Sequence, residues 1–527
     1  MTYSVIIKNG IIFDGTGKES FKSDIGISKE KIVEIRDLQK GKADLIIDAT
    51  DFYVSPGFID LTTHSDNHWT LLSQPGQENF IKQGVTTILG GHGGSSLAPV
   101  LSAESIGAIE KWANVSEINI NWTTMDEFFE ETERHNLAVN FGTLVGHETL
   151  RRNVLNNLAK EATTEEIKKI TALLEQSLED GAFGLSTNFG TSHSQAASRK
   201  EILKIFEVLK KYNVTSMHHL EDEGKNLLPA VSRLIMLLRT WNNKGHISHF
   251  KALGRGAWED FENGLNMIEL AREEGILLTC DFFPYTSTGS NLSSLLPSWA
   301  LAESRENILN FLKNEESRKN LTDYLKSLTL HYDKIMIAST ARDTSSLGKT
   351  VKTLSDDSGL SPEDVIIDLL YINDLRVSIF NDIILQKNID LLSGRDYAMV
   401  ASDGVGYEIN KINTKRDLPH PRSFGTFAKV FSDMVKNRNI LTWEEAIRKM
   451  TGLPAETLGI NNRGIIQKNN YADIVIFDPK TIEDRATYQV PIMSPSGIKH
   501  VFVNGVLAFS ENSLKETRAG KILRHGR

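Results

Sequence analysis

Two textures of apolar and polar positions alternate along this chain. The first 55 residues break into short alternating runs, Tyr3 to Ile7, Gly10 to Phe13, Asp24 to Ile27, Lys31 to Ile35 and Leu45 to Ala49, separated by turn residues. Such runs predict a small all-β unit. The last 70 residues behave alike, with Asp473 to Phe477 and His500 to Gly505 closed by Asp-Pro and Asn-Gly turns, so both termini are expected to share one sheet layer. Between them, apolar strands alternate with helical stretches, the pattern of parallel βα units. Eight strands are predicted there: Phe58 to Thr63, Val85 to Gly90, Val139 to Val145, Gly181 to Thr187, Val214 to His219, His246 to Phe250, Ile276 to Phe282 and Ala398 to Ser402. Eight is the number a closed α/β barrel takes. Thr163 and Glu166 have capping-box spacing and open an amphipathic helix reaching Leu178. More than 100 residues separate the seventh strand from the eighth. An insertion is expected in that interval, with Leu301 to Leu328 helical and Lys334 to Ala338 a strand.

Composition narrows the class. With 59 Lys and Arg against 68 Asp and Glu, the 527 residues carry a net charge of −9, and 40% hydrophobic content is ordinary for a globular protein. No apolar run approaches the roughly 20 residues that span a bilayer. The N-terminus also lacks the basic head and apolar core of a signal peptide, so a cytoplasmic protein without membrane association is expected. The single cysteine, Cys280, excludes an internal disulfide and a zinc site built on thiolate clusters. A mild acidic excess with no basic block gives no electrostatic reason for a nucleic-acid partner. Oligomeric state is not legible, and a homo-oligomer stays open.

Catalytic groups of a barrel gather where its strands end. Those ends read Asp60-Leu61-Thr62-Thr63-His64-Ser65-Asp66, Gly90-Gly91-His92-Gly93-Gly94, Gly146-His147-Glu148, Met217-His218-His219-Leu220-Glu221-Asp222-Glu223, His246-Ile247-Ser248-His249-Phe250-Lys251 and Ala401-Ser402-Asp403-Gly404. Fourteen histidines is an ordinary total, yet they close five of the eight predicted strands. Alternation along a strand puts His64 on one face with Thr62, and His249 with Ile247 and Lys251. A lone histidine at a strand end is more often a hydrogen-bonded structural residue than a ligand. Several neutral imidazoles with one carboxylate, however, make the donor set that zinc and similar ions prefer. A metal there would lower the pKa of water to about 7 and polarise a carbonyl, with Asp403 taking and returning the proton. The glycines around His92 lack the Lys-Ser/Thr of a P-loop and the spacing of a dinucleotide fingerprint, so they read as a tight turn. Lys251, Arg255 and Arg422 are candidates to hold an anionic group, Arg255 reading equally well as a solvated residue. Trp258 and Trp299 read as core or lid packing.

These stretches resemble the amidohydrolase superfamily, through Pro56-Gly57-Phe58-Ile59-Asp60 and His64-Ser65-Asp66, and within it the N-acyl-D-amino-acid deacylases, or D-aminoacylases. The narrower resemblance rests on ordered matches along nearly the whole chain. They include Val145-Gly146-His147, Gly181 to Thr187, Ile247 to Lys251, Leu295 to Ala300, Ser402-Asp403-Gly404, His420 to Phe427, Lys449 to Ala455 and Ala472 to Pro479. The resemblance implies a (β/α)8 barrel over 56–457, with an insertion within about 285–395, carried by a β-sandwich made of 1–55 and 458–527. It implies a small-molecule substrate whose linear N-acyl amide is cleaved by water activated on zinc, expected as one ion. His219, His249 and Asp403 match the family's ligands and its general acid/base, and His64 matches the second histidine of its strand-one pair. Lys251, Tyr285 and Arg422 are expected to hold the substrate carboxylate. Four positions depart from the pattern: Thr62 replaces the first histidine of the pair, Gly93 the strand-two cysteine, Glu221 an arginine, and Thr191 falls near a substrate-binding tyrosine. Either His92 swings in as the third ligand, or His64 completes the set with His219, His249 and Asp403. The remaining readings are another amidohydrolase chemistry, such as cyclic amide opening or deamination, and a non-catalytic barrel that has lost its metal.

Overall fold

The computed structural model describes residues 3–526, apart from 111, 114–117, 157, 302, 329 and 511–512. Its central feature is a succession of parallel strands in chain order, the arrangement of an α/β protein. Phe58–Asp60 pairs with Val85–Gly90, which pairs with Asn140–Thr143. The third strand resumes after Leu144 as Val145–Gly146 and lies beside Gly184–Asn188. Thr215–His219, Lys244–Ile247, Leu278–Phe282 and Ala398–Val400 follow, each parallel to the one before. The last strand leads back to the first. Thr63 and Gly404 form a parallel bridge, and the His64 and Asp403 amides donate to the carbonyls of Gly404 and Thr62 at 2.8 and 3.0 Å.

All eight predicted strands are present, but several end early. The first, sixth and eighth were expected to reach Thr63, Phe250 and Ser402, and they stop at Asp60, Ile247 and Val400. The fourth starts at Gly184 instead of Gly181. Backbone conformation explains the losses nearest the site, because His249 and Asp403 take positive φ values of 41° and 50°. A left-handed residue breaks the pleat, so the expected alternation of faces fails there. Ile247 accordingly lies in the apolar core, whereas His249 and Lys251 both reach Glu223.

Helices pack outside the strands for reasons visible in their spacing. Thr164–Glu179 begins with the expected box, Thr163 and Glu166 each capping the other's amide, and buries Ile167, Ile170, Leu174 and Leu178 on one face. Burying each of these side chains stabilises by about 1.5–3 kcal/mol. A smaller cluster, with Leu61, Leu89, Leu144, Met217 and Met399, draws on the first, second, third, fifth and eighth strands, so strands distant in sequence face a shared interior.

The two chain ends do share one sheet. Its order is Ser513–Leu514, Val506–Ser510, Ile498–Val503, Ile474–Phe477, Tyr53–Pro56, Tyr3–Ile12, Phe21–Ser28 and Lys31–Arg36. Hydrogen bonding makes it a single nine-stranded sheet that forks. The fork arises because Tyr3–Ile12 pairs along its first half with Ala43–Asp48 and along its second with Tyr53 and Val54. Ile7, Ile25, Val54, Ile474 and Phe502 pack into one apolar cluster against this sheet. Between the seventh and eighth parallel strands, Ser287–Asn291, Ile335–Thr340 and Val377–Asp382 form a three-stranded antiparallel sheet with helices and an apolar cluster of its own. Among the described residues, no helix is long and apolar enough to cross a membrane.

Candidate metal and catalytic site

At the carboxyl ends of the fifth and sixth parallel strands two imidazoles converge. His219 closes the fifth strand, and His249 stands two residues beyond the sixth. Their facing nitrogens, Nδ1 of His219 and Nε2 of His249, lie 2.9 Å apart. Burial pushes the His219 pKa down to about 3, so its ring stays neutral and able to ligate. The buried Glu223 comes back from the loop after the fifth strand, placing Oε1 3.1 Å from His249 Nδ1 and accepting from Lys251 Nζ at 2.6 Å. Burial opposes its charge, yet Lys251, His219 and His249 hold its carboxyl well below the ordinary range. Donor atoms of His219, Glu223 and His249 lie within 4.8 Å of one another, a spacing that suits a metal ion.

A second group stands at the ends of the first and eighth strands. Asp403 accepts from His64 Nε2 at 2.7 Å on one oxygen and from Arg422 Nη1 at 2.6 Å on the other. Burial would raise the Asp403 pKa, but Arg422, His249 and His64 outweigh it and keep the carboxyl ionised, well below its usual range. His249 is among the groups that hold the Asp403 carboxyl down, and Asp403 among those that act on His219.

The other predicted residues are placed differently. His92 is buried, with Nε2 donating to the Leu89 carbonyl at 3.2 Å and Nδ1 unpartnered. Burial takes its pKa down to about 3, so Nδ1 offers a free lone pair; the ring centre lies 6.1 Å from that of His64. Next to it, a Cβ added at Gly93 would meet nothing within 4 Å. Neutral imidazoles, ionised carboxylates and an orphaned lone pair make a donor set that fits zinc. The two basic candidates are each held by an acid, Lys251 by Glu223 and Arg422 by Asp403. The Tyr285 hydroxyl turns away to donate to Asp484 at 3.1 Å.

Residues 391–508 match the model of the Amidohydrolase family. The chain is 26% identical to a D-aminoacylase and 29% identical to an N-acyl-D-aspartate deacylase, both of Alcaligenes xylosoxydans xylosoxydans, covering 99% of this chain and 97% and 95% of theirs. Among solved structures, an N-acyl-D-glutamate deacylase from Bordetella bronchiseptica, complexed with zinc and a phosphonate inhibitor, superposes with a TM-score of 0.85 at 25% identity, over 99% of this chain and all of that one. Over nearly its whole length the chain is similar to the D-aminoacylases and related deacylases.

Each departure from the pattern of these deacylases has a local structure in this chain. Thr62 is fully buried and donates to Asp281 at 2.7 Å, so its hydroxyl is committed to a carboxylate. Glu221 pairs with Arg233, and Thr191 caps the short helix Ser192–Gln195. Two residues near the site were assigned no role from sequence. Glu223 carried a signal, being an acid four positions after His219. Asp281, in the middle of the seventh strand, carried none.

Proposed function

We propose that this chain is a metal-dependent hydrolase that cleaves the linear amide of an N-acyl D-amino acid, or of a similar small carboxylate. The observation that carries it is Asp403, clamped by His64 and Arg422, together with the His219–His249 pair whose facing nitrogens lie 2.9 Å apart. The shared interior cluster and the Thr63–Gly404 bridge support reading the parallel strands as a closed (β/α)8 barrel over 56–457, with the forked sheet as a second domain from both ends. We read the strand-end groups as the mouth of that barrel and the 285–395 insertion as its lid.

His219 and His249 would hold a single zinc ion, with His64 or His92 as the third imidazole. When bound, the ion supplies Lewis acidity, activating water and polarising the amide carbonyl. Asp403 accepts the proton of the attacking water as its oxygen bonds to the amide carbon. It returns that proton to nitrogen as the C–N bond breaks, releasing a carboxylate and an amine. Arg422 keeps Asp403 ionised for the first transfer. Lys251 and Arg422, with Tyr285 once its hydroxyl leaves Asp484, would orient the substrate carboxylate. We place the reaction in the cytoplasm.

Zinc content by elemental analysis, paired with turnover of N-acetyl-D- and L-amino acids, tests this reading. Near-stoichiometric zinc with hydrolysis of the D series is expected. Protein that takes up no zinc after incubation with the ion, and releases no amino acid, would instead favour a barrel that has lost its chemistry.

A further inference from the structure

We propose that Glu223 and Asp281 act together as positioning residues for His249, one holding its ring and the other its backbone. This rests on the reading of His249 as a metal-holding residue. The backbone of His249 needs support: φ is 41°, and a left-handed non-glycine residue is strained and persists only where its surroundings over-determine it. Asp281 supplies that support from the neighbouring strand. Its Oδ1 accepts the His249 amide at 2.7 Å, and its main-chain carbonyl accepts the next amide, of Phe250, at 2.9 Å. The other carboxylate oxygen accepts from the Thr62 hydroxyl at 2.7 Å and from His246 Nε2 at 2.8 Å. One fully buried carboxylate therefore ties together the sixth and seventh strands and the segment just after the first, beneath the site.

Glu223 acts on the ring. With its oxygen 3.1 Å from Nδ1, the ring proton belongs on Nδ1, which leaves the Nε2 lone pair facing His219. A carboxylate on the far nitrogen of a ligating histidine sets the tautomer and orientation of the ring. Lys251 Nζ, 2.6 Å from Glu223 and 2.8 Å from His249 Nδ1, is the competing donor: a Lys251 proton given to Nδ1 would move the ring proton to Nε2, so the clamp requires Lys251 to direct its protons to Glu223 and to the His249 carbonyl, 3.3 Å away. With both backbone and ring restrained, the Nε2 direction has little freedom before any ion arrives.

The first measurement is nitrogen-15 NMR of the histidine rings in metal-free protein, with the His249 signals identified by their absence in His249→Ala. The wild type is expected to show the Nδ1–H tautomer, Glu223→Ala a mixture, and Glu223→Gln a partial return. A wild-type Nε2–H tautomer would overturn the ring half of the proposal. The second measurement is zinc affinity by chelator competition. Glu223→Ala and Asp281→Asn are each expected to weaken it about 10–100-fold, yet to add little in a His249→Ala background, because both act through that residue. Equal losses in both backgrounds would reduce the pair to general structural support. If Asp281→Asn does not fold, Thr62→Val removes one donor to the same carboxylate; it is expected to weaken zinc binding less but in the same direction, and unchanged affinity would overturn the backbone half. If the wild type binds no zinc, the functional reading fails, while the tautomer measurement still decides the clamp.

Discussion

Replacing Asp403 with Asn tests the chemistry with the least change of shape. The carboxylate receives two charge-assisted hydrogen bonds, from His64 at 2.7 Å and Arg422 at 2.6 Å. Asparagine offers one acceptor oxygen and must turn its NH2 towards a donor, so one bond is lost along with the charge. Neither facing nitrogen of the His219–His249 pair is altered, so zinc content should persist. Turnover should not. A positioned proton carrier contributes about 10²–10⁴-fold, which at about 1.4 kcal/mol per decade is roughly 3–5 kcal/mol of barrier. Stability should fall as well, because Arg422, with 8% of its side chain exposed, loses its anion; truncating one partner of a buried pair costs up to about 3–5 kcal/mol. The assay is steady-state release of amino acid from N-acetyl-D-amino acids, with zinc measured on the same sample and urea unfolding as a control. A folded, zinc-loaded Asp403→Asn enzyme with full turnover would refute the assignment of proton transfer to Asp403.

His219→Ala is expected to lose most of its zinc while keeping the far-ultraviolet circular dichroism of the wild type; retained stoichiometric zinc would move the metal elsewhere. Glu201, fully buried, accepts from His147 at 3.0 Å and also pairs with Arg151. Glu201→Gln leaves Arg151 buried without its anion, and should cost about 3–5 kcal/mol of unfolding free energy in urea titrations; a loss under 1 kcal/mol would show that this trio is not a stabilising network. Asp60 is fully buried, and burial pushes its carboxyl up to about 7. Because the folded state then binds a proton that the unfolded state has released, stability should fall as pH rises from about 4 to 7 and stay low above that. Asp60→Asn keeps an oxygen for the Ser402 amide, which donates at 2.9 Å, and should remove up to about 4 kcal/mol of that slope. An unchanged pH profile of the melting temperature would rule this out.

The parallel strands were legible because they are buried apolar runs between helices, and the Thr163 box was legible because capping depends on residues three apart. The gathering of His64, His219, His249 and Asp403 followed from their places at strand ends. What stayed hidden depends on backbone turns and long-range partners. Strict alternation put Ile247 on the side of His249, since nothing in the residue types announced a left-handed histidine. Tyr285 matched a substrate-binding pattern, yet its hydroxyl donates to Asp484, 199 positions along the chain. The role of Asp281 was invisible because a carboxylate inside an apolar strand has meaning only once Thr62 and His246 are beside it. The fork in the terminal sheet escaped for a related reason: runs of alternating residues show that strands exist, but not that one strand pairs with two partners along its length.

That sheet also has a consequence for how the protein is made. Tyr53–Pro56 pairs with Ile474–Phe477, residues more than 400 positions further on. A ribosome adding about 5–20 residues per second needs roughly 20–80 s to cover that distance. Throughout it, the Tyr53–Pro56 side of the N-terminal strands is an open edge, and open edges recruit foreign strands. Pro56 has no amide to offer there, which shortens the exposed ladder but does not close it. Expression limits for this protein are therefore set in the interval before its C-terminal strands emerge, and chains halted short of Ile474 should collect in the insoluble fraction whatever the condition of the chemistry they carry.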